Sequence, residues 1–485
     1  ITLSFFIKKE SKPDNIKISN TSLFIFYPIL GLAFLGNFLF ITHFFIPIGN
    51  VQLYSVILYV IILNYKDFNK IKNLNLNIFN TISYLLIPLI LLVSSYDIAF
   101  HYDAGFYHLN HQNWLRESNL IIGIVNIFWP YGMGSVYEYI SAFFWFDQTF
   151  ILLHFLNLVF IIFFYSFCLE HLIKIKNSFL KFPALFIIIF SFLDNFGLNG
   201  GRNGFFYIQG VTASDLVVGI LFFITSLMII SRLRDFKFDI LEFHIFTILI
   251  LFLIEIKLSV VFISLLLFIY IYKASYIEGW GFIHILKILS PYIVLSIVWT
   301  IKSILTTGCL IFPLNFTCLN FISWYEAGST KQFEIISTSY SKAYVIGDSI
   351  SEWFILIYSD EIRKTVIINF LASFLLIYLF KKLFFKTRAI SFEEKSITLI
   401  FLTINFIYFV LAGPTPRYGI GLIMLIIACL GFNVESWKYN LNYKYLIYFL
   451  FFSGLIFTPK LDSYRLFNPT VEPTVNLPKI DYTSL

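Results

Sequence analysis

The sequence predicts an all-α polytopic membrane protein of roughly 13 transmembrane helices, with interfacial helices in its external loops. Three observations predict it. Of 485 residues, 59% are hydrophobic and only 13% are charged, against about 25% charged in a soluble domain, and the mean hydropathy is +0.82. Apolar runs long enough, or nearly so, to cross a hydrocarbon core recur along the chain, each bounded by polar residues. The ten-residue alternating segments of a membrane barrel are missing, and helices are then the form that satisfies backbone polar groups in lipid.

This composition leaves no room for a large soluble domain. The net charge of +6 is small, and no basic patch interleaved with aromatics argues for nucleic acid. The tail 1–21 is basic and polar, without the apolar stretch and small-residue cleavage site of a signal, and is read as cytoplasmic. Spans are expected near 22–46, 51–64, 78–95, 148–170, 183–195, 214–231, 241–254, 258–272, 284–306, 364–380, 396–412, 418–434 and 442–458. With no internal repeat and no linker, 22–458 reads as one transmembrane domain and 459–485 as an external tail.

Basic clusters set the orientation. With a cytoplasmic N-terminus, "KDFNKIK" (66–72), "KIKNSFLK" (174–181), "RLRDFKF" (232–238) and "KKLFFKTR" (381–388) all fall inside. Loops 96–147, 194–213 and 307–362, and "GPTPRYG" at 413–419, then face outward. Cys309 and Cys318 lie in the last large loop, where a disulfide and two free thiols are both open readings. Cys168 and Cys429 fall within or near spans and read as packing residues.

The external segments hold the candidate chemistry. In 96–147, "YDIAFHYD" places Asp97 and Asp103 just past a span, and "GFYHLNHQNWLRES" reads as a short interfacial helix. Its expected face is Tyr107, His108, His111, Trp114 and Leu115, with Arg116 and Glu117 turned to water or headgroups. "GMGSVYEYISAFFWF" suggests a second such helix. A partly desolvated Asp103 suits a general base, or else a cap. Tyr102, Tyr107, His108, His111 and Trp114 are candidate substrate contacts. Trp114, Trp129, Tyr131 and Tyr137 suit sugar stacking or an aromatic belt. The His108–His111 spacing permits a metal, though none is expected.

Further along, Arg202 is the basic residue of a Gly- and Asn-rich loop, and Asp215 opens a span as a cap or a substrate contact. Glu255 and Lys257 sit at a tight external turn, either pairing with each other or meeting an anionic headgroup. Lys302 enters the turn "IKSILTTGCLIFPL". Pro414 and Pro416 frame Arg417, whose planar fork suits phosphate. Together these groups fit transfer from a lipid-linked sugar. Cations (Arg417, Lys257, Arg202) hold the phosphate, and one carboxylate activates the acceptor with inversion. No nucleotide-binding glycine fingerprint is present, which favours a lipid-linked donor over a nucleotide sugar.

"YDAGFYH", "TASDLVV", "IKLS", "TTGCLIFPL" and "GPTPRYG", in that order over about 102–419, resemble the GT-C superfamily of integral-membrane glycosyltransferases. Within it, the pattern is most similar to a bacterial family of GT-C-like multi-spanning proteins. The resemblance implies that Asp103 carries catalysis and Arg417 touches the donor phosphate. It also implies a polyprenyl-phosphate-linked sugar donor, a membrane lipid partner and an acceptor it does not name, with no cofactor. The expected setting is a bacterial inner membrane, with the active site facing the periplasm or outside. A flippase or polymerase of lipid-linked saccharides and a small-solute transporter are the competing readings.

Overall fold

The computed structural model describes residues 17–18, 21–64, 103–145, 150, 152–174, 183–185, 187–188, 214–234, 236, 238–328, 330–334, 361–387, 392–412, 416–431, 433–437, 445 and 448. The spans expected near 78–95 and 442–458, the loop 194–213 and the tail 459–485 lie outside the described residues, apart from Tyr445 and Tyr448.

The described helices are α1 (Tyr27–Thr42), α2 (Asn50–Asn64), α3 (Leu109–Glu117), α4 (Val136–Phe143), α5 (Leu153–Leu169) and α6 (Asp215–Arg234). They continue with α7 (Ile240–Ile256), α8 (Ser264–Glu278), α9 (Phe282–Thr307), α10 (Glu361–Phe384), α11 (Phe392–Ala412) and α12 (Pro416–Cys429). Among the described residues, five helical stretches are long and apolar enough to cross a membrane: Leu23–Thr42, Phe155–Leu172, Asp215–Arg234, Leu258–Glu278 and Phe282–Thr307. These are the features of an α-helical membrane protein. Helix α9 turns Val294, Ile297 and Ile301 outward, as a lipid-facing surface requires.

Helix α6 is the centre of the packing. Leu216 to Ile230 are buried throughout, against α5, α7, α8 and α12. Two ion pairs fix α6 antiparallel to α7. Lys257 meets Asp215 at one end, and Arg232 meets Glu242 at the other. A twenty-residue helix separates those ends by about 30 Å. Asp239 caps α7, its Oδ1 accepting from the Leu241 (2.8 Å) and Glu242 (3.2 Å) amides.

Helices α6 and α12 cross at glycines. A Cβ on Gly421 would lie 2.6 Å from the Gly219 carbonyl oxygen, which is backbone and cannot swing aside. Small residues let helix backbones approach in lipid. Gly421→Ala is therefore expected to destabilise the protein by about 1–3 kcal/mol, as overpacking does. Gly31→Ala on α1, where nothing lies within 4 Å, serves as the neutral control in the same thermal-unfolding measurement.

Past the C-terminal end of α12, strand β1 (Phe385–Thr387) pairs antiparallel with β2 (Val434–Trp437), and Lys381 Nζ donates to the Leu430 carbonyl at 3.0 Å. At the end marked by Asp215 and Lys257, other segments tie together. Leu120 N–H donates to His43 O (3.0 Å), Ser135 Oγ to Ile256 O (2.8 Å) and Gly123 N–H to Leu305 O (2.9 Å). Gly308 ends α9 in the left-handed region, φ 81°, which glycine adopts without strain. The chain then turns into a loop closed by a Cys309–Cys318 disulfide, which resolves the alternative left open by the sequence. Trp324 on that loop donates to the Ile304 carbonyl at 2.9 Å.

Candidate functional site

The site is built from three pieces of chain at this end. The first is the stretch leading into α3. Ala104–His108 winds more widely than an α-helix, with the Leu109 N–H reaching back five residues to Ala104 O. Such widened turns recur at functional sites because they re-aim side chains. Asp103 stands immediately before it, half-buried, and makes no capping hydrogen bond.

The second piece is α4, buried from Val136 to Ala142. Its Glu138 is the residue that sequence reasoning missed. Both carboxylate oxygens are used: Oε1 bonds His108 Nδ1, and Oε2 accepts from Gln112 Nε2 at 2.7 Å. Gln112 Oε1 in turn accepts from Trp145 Nε1 at 2.8 Å. Burial pushes the Glu138 carboxyl upward, but the charge and hydrogen bond of His108, then His111 and Gln112, more than offset it and hold it below the usual range. The available signal was a lone acid between two tyrosines in an otherwise apolar segment, since such a charge needs a partner.

The third piece joins α6, α7 and α12. Asp215 and Lys257 form an ion pair, and Lys257 Nζ lies 4.1 Å from the centre of the Tyr418 ring. Arg417 occupies the first turn of α12 beside Tyr418, after Pro416 starts the helix. Its side chain, like Tyr102 and Arg202 entirely, lies outside the described residues.

Tyr107 connects the three pieces. Burial raises its phenol above the ordinary range, and the charges of Asp103, Glu138, Tyr418 and Asp215 raise it further. Those four groups are therefore within electrostatic reach of one phenol, though Asp103 and Tyr418 are more than three hundred residues apart in the chain.

Several expectations are corrected. Glu255 does not pair with Lys257. It accepts from Asn37 Nδ2 at 2.9 Å inside the bundle, because Lys257 turns to Asp215. Arg116 does not face water: its Nη1 donates to Ala142 O at 2.9 Å and its guanidinium lies over Trp145. Tyr137 is 2% exposed and donates to Asn157 Oδ1 at 2.6 Å, so it offers no ring to a sugar. Tyr131 stacks on His111 and Trp129 packs on Phe333.

His111 and Trp114 face a different hollow, beneath α3, which His43, Trp299 and Lys302 also line. Burial, opposed by Glu138 and reinforced by His108 and Lys302, pushes His111 down to about 4. It is neutral in the fold and binds a proton more readily when unfolded. Its contribution to stability is complete above about pH 6.5 and is lost as pH falls toward 4, by roughly 1.4 kcal/mol per pH unit of that window. Thermal unfolding from pH 7.5 to 4.5 is expected to show this fall, and His111→Gln to flatten it.

Among the described residues, no group of three or more His, Cys, Asp or Glu side chains is placed to hold a metal ion. What the site offers is an imidazole oriented by a buried carboxylate, a second carboxylate beside it, and a neighbouring cation.

Fold and site together define a helical membrane protein with a polar, carboxylate-bearing cluster at one end of its bundle. Residues 6–424 match the family described as a domain of unknown function (DUF8201), and the chain belongs to that family. No curated protein and no solved structure matches it.

Proposed function

We propose that this chain is an inverting membrane glycosyltransferase. It moves a sugar from a polyprenyl-phosphate-linked donor to an envelope glycan, lipid or protein acceptor. Asp103 accepts the proton of the attacking hydroxyl, and Arg417, with Lys257 and Arg202, meets the donor phosphate. Roughly 13 spans carry the site on the external face of a bacterial inner membrane.

The observation that carries this reading is the convergence on Tyr107: Asp103 and the Asp215–Tyr418 group lie within electrostatic reach of one half-buried phenol. The orientation is supported by the Cys309–Cys318 disulfide at the same end, since disulfides persist on the oxidising side of a membrane. The His108 imidazole, oriented by Glu138, and Tyr107 supply hydrogen-bonding groups for a sugar beside the base.

The test is the purified protein in nanodiscs with a radiolabelled polyprenyl-phosphate sugar and an envelope extract as acceptor. Sugar is expected to leave the lipid and appear in the acceptor. An intact donor at all enzyme concentrations would overturn the reading. Movement of a lipid-linked saccharide across the bilayer is the second reading. It is favoured by Glu255, a carboxylate buried between helices against Asn37. It predicts transbilayer transfer with the sugar–phosphate bond unbroken.

A further inference from the structure

The hollow beneath α3 is lined among the described residues by one lysine and two histidines, with no Asp or Glu. Lys302, on the last turns of α9, is 2% exposed. Its Nζ donates to the Phe40 carbonyl at 2.7 Å and lies 3.9 Å and 4.1 Å from the ring centres of Phe40 and Tyr139. One carbonyl and the faces of rings are its partners, and no carboxylate among the described residues pairs with it. Removing an ammonium from water into such a place costs several kcal/mol unless a counter-charge joins it.

One further donor borders the same space unfilled. Trp299 Nε1 is buried without a hydrogen-bond partner. His43 is 3% exposed; its Nε2–H donates to the Ser118 carbonyl at 3.0 Å, which leaves Nδ1 as an acceptor, so the ring borders the hollow without donating into it. Lys302 also acts electrostatically on His111, so the three bases share one neighbourhood. The cavity measures about 20 Å³, more than one water requires. A water would satisfy the indole but would leave the ammonium uncompensated; an anion answers both.

We propose that this hollow is a binding site for a compact oxyanion of the phosphate class, held by the Lys302 ammonium and the Trp299 indole N–H, with His43 beside it. The site is separate from the Asp103–Lys257 cluster and does not depend on the glycosyl-transfer reading. The same chemistry serves a free phosphate and the phosphodiester of an anionic lipid headgroup. The aromatic walls, Trp114, Tyr131 and Tyr139, suit either.

The test is equilibrium dialysis of labelled inorganic phosphate against the full chain in phosphatidylcholine nanodiscs. One saturable site per chain is expected, at least tenfold weaker in Lys302→Met and several-fold weaker in Trp299→Phe, which keeps the ring and loses only the donor. Repeating the measurement in phosphatidylglycerol nanodiscs separates the sources. Suppressed binding assigns the site to a lipid headgroup, and unchanged binding assigns it to a free anion. Should Lys302→Met fail to fold, the wild-type protein still decides: phosphate, and not chloride at equal ionic strength, is expected to slow acylation of the Lys302 amine about tenfold. Absence of a saturable site in phosphatidylcholine, undiminished binding by folded Lys302→Met, or acylation indifferent to phosphate would each overturn the proposal.

Discussion

Asp103→Asn is expected to lower kcat for sugar transfer by about 10²–10⁴, the range a positioned general base supplies, while donor binding and thermal unfolding stay near wild type. The amide keeps the shape of the side chain and loses the proton-accepting charge. The measurement is single-turnover transfer from a polyprenyl-phosphate sugar in nanodiscs. A wild-type rate in Asp103→Asn would move the base elsewhere. His108, whose Nδ1 is held by Glu138, is the group placed to take that role, and His108→Gln would then carry the loss.

Glu138→Ala is expected to cost about 3–5 kcal/mol of stability, the range for removing one partner of a buried charge pair. The carboxylate is 6% exposed, and its loss strands both His108 Nδ1 and Gln112 Nε2, which have no other partner on these atoms among the described residues. Gln112 is itself 0% exposed and holds Trp145, so the damage extends to the contact between α3 and α4. Glu138→Gln keeps the volume and is expected to recover part of the loss. The pH dependence has a definite sign. A carboxyl held below its ordinary range contributes stability that is present above that range and disappears as pH falls through its folded value. Acid unfolding of the wild type should therefore be steeper than that of Glu138→Gln. Thermal unfolding in detergent from pH 7 to pH 3 measures both effects.

The helices were legible in the sequence where lipid dictates composition. The spans expected at 214–231 and 284–306 are α6 and α9 within a few residues at each end, and the apolar run at 241–254 is helix α7. Pairing was not legible. Lys257 has Glu255 two residues away, yet its partner is Asp215, forty-two residues back, because adjacent positions at a helix end point in different directions. Arg116 sits in a polar stretch that suggests water, but Ala142 in α4 and Trp145 just past it offer it two carbonyls. Glu138 shows locally only that a lone acid in an apolar segment needs a partner, not which one. Its role depends on α3 lying against α4, a contact between segments about thirty residues apart that periodicity does not encode. The anion-favouring hollow is a sum of residues from α1 and the turn after it, α3 and α9; His111 and Lys302 drew notice in the sequence, His43 did not, and nothing local joined the three.

The account rests on Asp103 and Arg417 facing one site across the end of the bundle. The most direct measurement is cross-linking of Asp103→Cys with Arg417→Cys by a short bismaleimide in native membranes, in a background where Cys168 and Cys429 are replaced. The control pair is Asn126→Cys with Trp324→Cys, positions joined by a 2.8 Å hydrogen bond in the fold. The account predicts that both pairs cross-link. A control that cross-links while the 103–417 pair does not would place the acid and the cation apart, and would contradict the shared site.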